Sequence, residues 1–173
     1  MRFHWPLLSA LLLIATPAQA EKLQFDHRLY PPLKEVLDSG DQNKVAFDSS
    51  RPGRMVDFIT IKGKSVKSWT EGFEIVALAR PKQLANVQEW MAFLRKGADQ
   101  RCPNTVTVIA QDERSVTFER HSPKCPGERA EFGLYRLVTG QRSWFQLTLL
   151  SKAPLTSEER SQWLALLASA HLD

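Results

Sequence analysis

The segment that decides the fold is Lys62-Gly63-Lys64-Ser65-Val66-Lys67-Ser68-Trp69-Thr70-Glu71-Gly72-Phe73-Glu74-Ile75-Val76-Ala77-Leu78. It begins as a basic, glycine-containing stretch that predicts a loop. Nearly every residue from Phe73 onward is apolar, which predicts a strand covered on both faces. Trp69, Thr70 and Glu71 lie where loop and strand meet, so we expect a structural hinge there. A large aromatic at such an entry is expected to close the end of a core.

Two strands are predicted before this segment. Residues 44–49 and 54–61 each alternate apolar and polar side chains, and residues 50–53 (Ser-Arg-Pro-Gly) are typical of a tight turn. Together they predict a β-hairpin. Further upstream, Pro31 and Pro32 predict an extended segment, followed by at most one helical turn over residues 33–37.

Two helices and four strands are predicted after the segment. Leu84, Val87, Met91 and Leu94 recur at helical spacing within residues 82–98. From residue 104 to residue 150 the period changes to two, with turns near residues 112–115, 122–129 and 139–141, which predicts a four-stranded antiparallel meander. The last helix follows Thr156, which stands three residues before Glu159 as in a capping box.

The order of elements is three strands, a helix, four strands and a helix. Runs of antiparallel strands with amphipathic helices are typical of the α+β class, in which an antiparallel sheet has helices packed on it. The 173-residue chain shows no repeat or interdomain linker. We therefore expect one soluble domain over residues 21–173.

The first twenty residues have the three parts of a secretory signal peptide. A basic start at Arg2 is followed by an apolar run over residues 7–15 and by Ala18-Gln19-Ala20. The run is too short to span a bilayer as a helix, so no membrane span is expected. Pro6 and Pro17 bracket the run and argue against the alternative of a buried N-terminal helix. We expect cleavage after Ala20 and a periplasmic or secreted protein.

Cys102 and Cys125 are the two cysteines of the chain. In an exported protein an even number of cysteines predicts a disulfide bond. The alternative is a metal site or a reactive thiol, but neither cysteine belongs to a CxxC motif. His27, His121 and His171 lie in distant segments without metal-ligand spacing, so no metal is expected.

The chain is mildly basic, with a formal net charge of +4. That charge is far below the density of a nucleic-acid-binding protein, so no nucleic acid is expected as a partner. The densest positive run and the preceding turn suggest a possible binding edge, referred to below as the basic edge. It consists of Arg51, Arg54, Lys62, Lys64 and Lys67. The alternative is a set of ordinary solvated side chains.

No catalytic or cofactor motif is present: the sequence lacks GxSxG, HExxH, a phosphate-binding glycine loop and an EF-hand loop. Glu71 is the one carboxylate in an unusual setting. It lies three residues from Glu74, so the two are expected on opposite faces of the strand. The simpler interpretation is that Glu71 accepts hydrogen bonds from the loop or pairs with an arginine.

One block carries a resemblance to known proteins. Residues 66–71 (Val-Lys-Ser-Trp-Thr-Glu), an apolar strand, a helix, two cysteines and a tryptophan-bearing last strand resemble a family of small secreted proteins of Gram-negative bacteria, over residues 45–167. The element order is also similar to the α/β/α sandwich of the PsbP type. Members of that fold mostly bind proteins or act as assembly factors, so the resemblance implies binding and no enzymatic activity.

Two functions are therefore considered. The first is an exported, non-enzymatic domain that binds a protein or an anionic envelope component, including the role of an inhibitor or immunity protein. The second is an envelope glycan hydrolase that uses Glu71 with a second carboxylate across a cleft. A Glu71 buried in hydrogen bonds would count against the second.

Overall fold

The computed structural model describes residues 21–123 and 130–173. The chain forms a seven-stranded antiparallel sheet and a separate two-stranded sheet, with three α-helices packed against the large sheet. This confirms the predicted α+β class. Residues 1–20, which hold the predicted signal peptide, lie outside the described residues, and so does Cys125.

The strands, in chain order, are β1 (Leu23–Gln24), β2 (Val45–Asp48), β3 (Arg54–Ser65), β4 (Ser68–Ala79), β5 (Thr105–Gln111), β6 (Ser115–His121), β7 (Phe132–Thr139), β8 (Ser143–Ser151) and β9 (His171–Leu172). The helices are α1 (Pro31–Ser39), α2 (Val87–Asp99) and α3 (Ser157–Ala168). The large sheet has the order β2-β3-β4-β8-β7-β6-β5, and β1 pairs with β9.

The basic stretch predicted as a loop is instead the end of a long hairpin. β3 continues to Ser65, which pairs with Ser68, so only Val66 and Lys67 form the turn. The register shifts near Lys62 and Gly63, and Gly63 has a φ of 126°. A Cβ there would lie 2.4 Å from the Ser68 carbonyl oxygen, so glycine is required for this irregular ladder. The bulge lets the strand continue through polar residues.

The two predicted groups of strands form one sheet because β4 pairs with β8. Their antiparallel register extends from Glu71 opposite Ser151 to Ala79 opposite Ser143. The chain leaves β4 in the middle of the sheet, crosses through α2, and enters β5 at the far edge. α2 packs on β6 and β7 during this crossing. The crossover therefore places a helix over the second half of the sheet.

Each face of the sheet has its own hydrophobic cluster. The first face is covered by α1 and α3, whose buried side chains Leu33 and Trp163 pack with Phe73 and Leu149 of the sheet. The second face is covered by α2. Its cluster is formed by Val87, Trp90, Val116, Phe118, Tyr135, Leu137 and Trp144. The consecutive residues Leu134 and Tyr135 belong to opposite clusters, as the strand period requires.

The helix boundaries depend on local capping. The Thr156 side chain accepts a hydrogen bond from the Glu159 N–H while the Glu159 carboxylate accepts one from the Thr156 N–H, which confirms the predicted capping box. α2 begins later than predicted because Asn86 caps it. α1 is nine residues long, not one turn. Its two prolines occupy the first turn, where a missing N–H does no harm.

The first prediction compares two tryptophans. Trp163 is fully buried and its ring centroid lies 4.4 Å from that of Tyr30. Trp69 is half-buried and belongs to neither hydrophobic cluster. We expect Trp163→Ala to lower the free energy of unfolding by about 3–5 kcal/mol, the usual loss for a buried aromatic. Trp69→Ala should cost clearly less, and urea unfolding would measure both. Equal losses would contradict the packing described above.

Candidate functional site

Glu71 is the most deeply buried charged side chain of the described residues, with 2% of its surface exposed. Its Oε1 accepts hydrogen bonds from the Tyr30 hydroxyl (2.7 Å) and from Nε1 of Trp163 (3.3 Å). Its Oε2 lies 2.8 Å from Nζ of Lys62. Burial, followed by the hydrogen bond to Glu71, raises the pKa of Tyr30, so this hydroxyl stays a donor. Every oxygen of the buried carboxylate therefore has a partner.

Lys62 connects Glu71 to the last helix. Its Nζ lies 2.5 Å from Oε1 of Glu159, the residue that closes the capping box of α3. Desolvation lowers the pKa of Lys62, but the hydrogen bonds to Glu159 and Glu71 outweigh it and raise that pKa overall. The hydrogen bonds from Lys62 and from the Thr156 backbone hold the pKa of Glu159 at about 2. The result is one lysine between two carboxylates.

This arrangement resembles an anchor more than a reaction site. Lys62 fills the space between Glu71 and Glu159, so these two carboxylates do not face each other across a cleft. A glycosidase needs such a cleft for the sugar ring. The simpler interpretation of Glu71 fits this geometry, although the donors are side chains and not the loop backbone.

The hinge residues next to Glu71 have separate environments. Thr70 donates a hydrogen bond from its hydroxyl to the Lys62 carbonyl (3.3 Å), and its own carbonyl accepts one from the Lys152 N–H (2.9 Å). The Trp69 ring packs against Phe58 at 5.4 Å between centroids, with Nζ of Lys152 4.8 Å from the Trp69 centroid. Trp69 therefore covers the rim of the sheet, whereas the sequence predicted a core plug.

The five residues of the basic edge do not lie together. Arg51 and Arg54 are at the start of β3, next to the turn from β2, whereas Lys62, Lys64 and Lys67 are at its other end. β3 is twelve residues long, with Arg54 at its first position and Lys62 and Lys64 near its last. The two groups are therefore at opposite ends of the strand, because turns of consecutive antiparallel strands alternate between the ends of a sheet. Arg54 lies 3.6 Å from Asp48, and Lys62 belongs to the Glu71 anchor.

The predicted disulfide includes Cys125, which lies outside the described residues, so that bond stays a prediction. Cys102 is half-buried immediately after α2, and its N–H donates to the Ala98 carbonyl (3.2 Å).

A cleft lies on the second face of the sheet, beside α2. Its volume is about 180 Å³. The polar and charged residues that line it come from α2 and its C-terminal extension and from strands β4, β6, β7 and β8. They are Glu74, Arg95, Arg101, Arg120, Tyr135, Gln146 and Thr148. Three of these are arginines and one is a carboxylate, so the cleft carries a net positive charge.

Aromatic rings that lie over glycines form part of the floor of this face. A Cβ at Gly133 would lie 2.5 Å from Cε2 of Tyr135, and one at Gly72 would lie 2.4 Å from Cζ of Phe58. Only glycine leaves room for rings in these positions. Phe118 stacks against Tyr135 with ring planes 2° apart and centroids 4.7 Å apart. The Tyr135 ring is therefore held flat against the sheet.

Arg120 lies over the Tyr135 ring, and its Nε has no hydrogen-bond partner among the described residues. Its Cζ lies 5.3 Å from the Tyr135 ring centroid, a cation–π distance. Its Nε is enclosed and has no hydrogen-bond acceptor within the described part of the chain. Arg101, by comparison, donates from Nε to the Gly97 carbonyl (2.8 Å). The cleft lining thus includes a guanidinium whose enclosed Nε lacks an acceptor in the described part of the chain.

Glu74 lines the β4 side of the same cleft. Burial raises the pKa of its carboxyl, and Arg54 partly opposes this through space. Burial also raises the pKa of the Tyr135 hydroxyl. The charge of Arg120 opposes this rise and the charge of Glu74 adds to it. Both charges are therefore close enough to Tyr135 to act on it. Glu71 and Glu74 point to opposite faces of β4, as the odd spacing predicted.

Arg120 and Tyr135 were not identified as site residues from the sequence. Two signals pointed to them. Val116, Phe118 and Arg120 continue one apolar face of β6, so a cation lies where a hydrophobic side chain is expected. Gly133 lies inside a strand, which often indicates a close approach by another group.

Within residues 21–123 and 130–173, no three His, Cys, Asp or Glu side chains are grouped as metal ligands. No helix in these ranges has the length and apolar character needed to cross a membrane. Comparison with known protein families and with curated proteins gives no match. The family resemblance stated above therefore stays a prediction.

The second prediction tests the Glu71 anchor. Lys62→Met removes the cation beside a buried carboxylate, which usually costs about 3–5 kcal/mol for a buried pair. We expect a value near the lower end, because the Lys62 side chain is 47% exposed. Lys64→Met is the matched control in the same hairpin and should change the free energy of unfolding by less than about 0.5 kcal/mol. If urea unfolding shows equal losses for Lys62→Met and Lys64→Met, Lys62 does not stabilise the buried Glu71 carboxylate as described.

The third prediction concerns pH. The pKa of Glu159 is about 2 in the folded protein and 4.5 ordinarily. A lowered folded-state pKa means that ionised Glu159 stabilises the fold above pH 4.5 and loses this contribution as the pH falls towards 2. Glu159→Gln removes the charge but keeps a capping-box side chain. At pH 7 the wild type should have the higher Tm, and the difference should shrink as the pH falls through this window. A constant difference would contradict the assignment.

Proposed function

We propose that this chain is an exported, non-enzymatic binding domain and that it binds its protein or envelope partner through a carboxylate group that enters the cleft beside α2. The observation that carries the proposal is the enclosed, unpartnered Nε of Arg120 above Tyr135. A guanidinium presents parallel donors that match the two oxygens of a carboxylate. An enclosed donor without an acceptor is unfavourable, and a carboxylate that binds the same guanidinium would offset this cost with charge-assisted hydrogen bonds.

The electrostatics of the cleft support an anionic group. Arg95 and Arg101 lie on the α2 side of the cleft and Arg120 lies on the sheet side. Arg95 is loosely paired with Asp99 at 3.9 Å, and both side chains are more than half exposed. Such an exposed pair contributes little, so Arg95 stays available to a ligand.

The size of the cleft limits what enters it. A volume of about 180 Å³ is below the usual range for drug-sized ligands. It suits a single side chain, a chain terminus or a small organic acid. We therefore expect a larger partner to insert one residue into the cleft, with the rest of the partner lying outside.

The hydrolase alternative has less support. Glu71 is tied to Tyr30, Trp163 and Lys62 on the opposite face of the sheet. Glu74 lies in the cleft, but the described residues that line the cleft include no second carboxylate to act with it. The protein is accordingly proposed to bind its partner without cleaving it.

The fourth prediction tests carboxylate binding at Arg120. Hexanoate, a plain carboxylate, is titrated into the ¹⁵N-labelled protein, and the Nε–Hε signal of Arg120 is followed by NMR. We expect that signal to shift with saturation. Arg120→Gln should weaken hexanoate binding, measured on neighbouring amide signals, by about tenfold or more, since a charge-assisted hydrogen bond is lost.

Arg51→Gln is the control, because Arg51 is exposed at the β2–β3 turn, away from the cleft. It should leave the affinity unchanged. If Arg120→Gln does not fold, Arg101→Gln provides the test, since Arg101 is exposed and lines the same cleft. An Arg120 signal that no carboxylate ligand moves, whether or not the ligand also carries an ammonium group, would overturn the proposal.

A further inference from the structure

We infer that the ligand of the cleft beside α2 is zwitterionic, with an ammonium group that contacts Glu74 and a carboxylate that contacts Arg120. This inference rests on the proposed function and names the ligand class. It follows from the position of Glu74, a charged side chain that the fold itself does not use. An amino acid, or a dipeptide with both termini free, has this combination of groups.

Glu74 is unpaired within the described part of the chain. No described donor lies within hydrogen-bond distance of its carboxylate, and no described cation lies within 4.0 Å. The cation that acts on it through space is Arg54, which pairs with Asp48 at 3.6 Å. A half-buried carboxylate without a donor is unfavourable, and an ammonium ligand would supply both hydrogen bonds and charge.

The contrast with Glu71 shows that the fold satisfies a carboxylate when that carboxylate is structural. Glu71 lies three residues earlier on the same strand. It accepts hydrogen bonds from Tyr30 and Trp163 and forms an ion pair with Lys62. Glu74 faces the opposite side of the sheet and has no such partner among residues 21–123 and 130–173. Its burial without compensation is therefore typical of a binding group, since charged groups left unsatisfied concentrate at functional sites.

The spacing of the two charges is set by the sheet. Glu74 of β4 lies opposite Thr148 of β8, which lies opposite Tyr135 of β7. Adjacent strands are about 4.8 Å apart, so about 10 Å of sheet separates Glu74 from Tyr135. The Arg120 guanidinium stands over the Tyr135 ring. The two charges of a matching ligand should therefore be several ångströms apart, as in an ω-amino acid or a dipeptide with free termini.

Glu74 also makes the cleft selective. Its negative charge lies near the position where a carboxylate would bind, so it repels a ligand that carries only a carboxylate. A ligand with an added ammonium converts this repulsion into attraction. The same side chain thus favours zwitterions and disfavours simple anions.

The fifth prediction compares ω-amino acids with plain acids of the same length. Glycine, β-alanine, 4-aminobutyrate and 6-aminohexanoate are titrated against acetate, propionate, butyrate and hexanoate, with the Arg120 Nε–Hε signal as the readout. We expect the longer amino acids to bind about tenfold or more tightly than the matched acids, the usual effect of a hydrogen bond to a charged group. Alanyl-alanine, which has both charged termini, and its N-acetylated form, which keeps only the carboxylate, test the same difference on a dipeptide.

Glu74→Gln should reduce the affinity for the amino acids to that for the plain acids. The affinity of this variant for the plain acids should be equal to or higher than that of the wild type. Glu35→Gln is the matched control, because Glu35 is exposed on α1 and should change neither affinity. Equal binding of amino acids and plain acids would overturn the zwitterion inference and leave the proposed function standing. If neither the amino acids nor the plain acids bind to the wild type, both the zwitterion inference and the proposed function are overturned.

Discussion

The buried carboxylate of Glu71 is the constraint on which the rest of the structure depends. An ion removed from water is unfavourable by several kcal/mol unless it is fully paired. Tyr30 just before α1, Lys62 of β3 and Trp163 of α3 supply its partners, and Lys62 is held in turn by Glu159. Three parts of the chain that are distant in sequence, namely Tyr30, the β3–β4 hairpin and α3, must therefore meet correctly, and a misplaced helix or a shifted hairpin register would leave the charge unpaired.

The irregular end of the β3–β4 hairpin belongs to the same constraint. The register shifts around Lys62 and Gly63 give this part of the ladder a different alignment from the regular part near Phe73. Gly63 makes this possible with a backbone conformation that other residues rarely adopt. The irregular ladder at Gly63 thus lets Lys62 reach the buried Glu71 carboxylate while β3 continues to Ser65.

The second face of the sheet is organised by different requirements. α2 covers β6 and β7 as the chain crosses to the far edge, and a cleft is left between the helix and the sheet. Gly133 lets Tyr135 lie flat there, and Arg120 rests on Tyr135. The odd spacing of Glu71 and Glu74 along β4 directs one carboxylate to the anchor and the other to the cleft. One strand therefore serves stability on one face and, as we propose, recognition on the other.

The local patterns of the sequence determined the class of the fold, most of the strands, the two longer helices and the capping box at Thr156 and Glu159. These depend on side-chain period and on hydrogen bonds within a few residues, which can be followed along the chain. Tertiary structure alone decided that β4 pairs with β8, that Arg51 and Lys62 lie at opposite ends of a strand, and that Tyr30 and Trp163 meet Glu71. It also decided that Arg120 reaches Tyr135. These contacts join residues far apart in the chain, and their energies come from shared burial, which no single segment shows by itself.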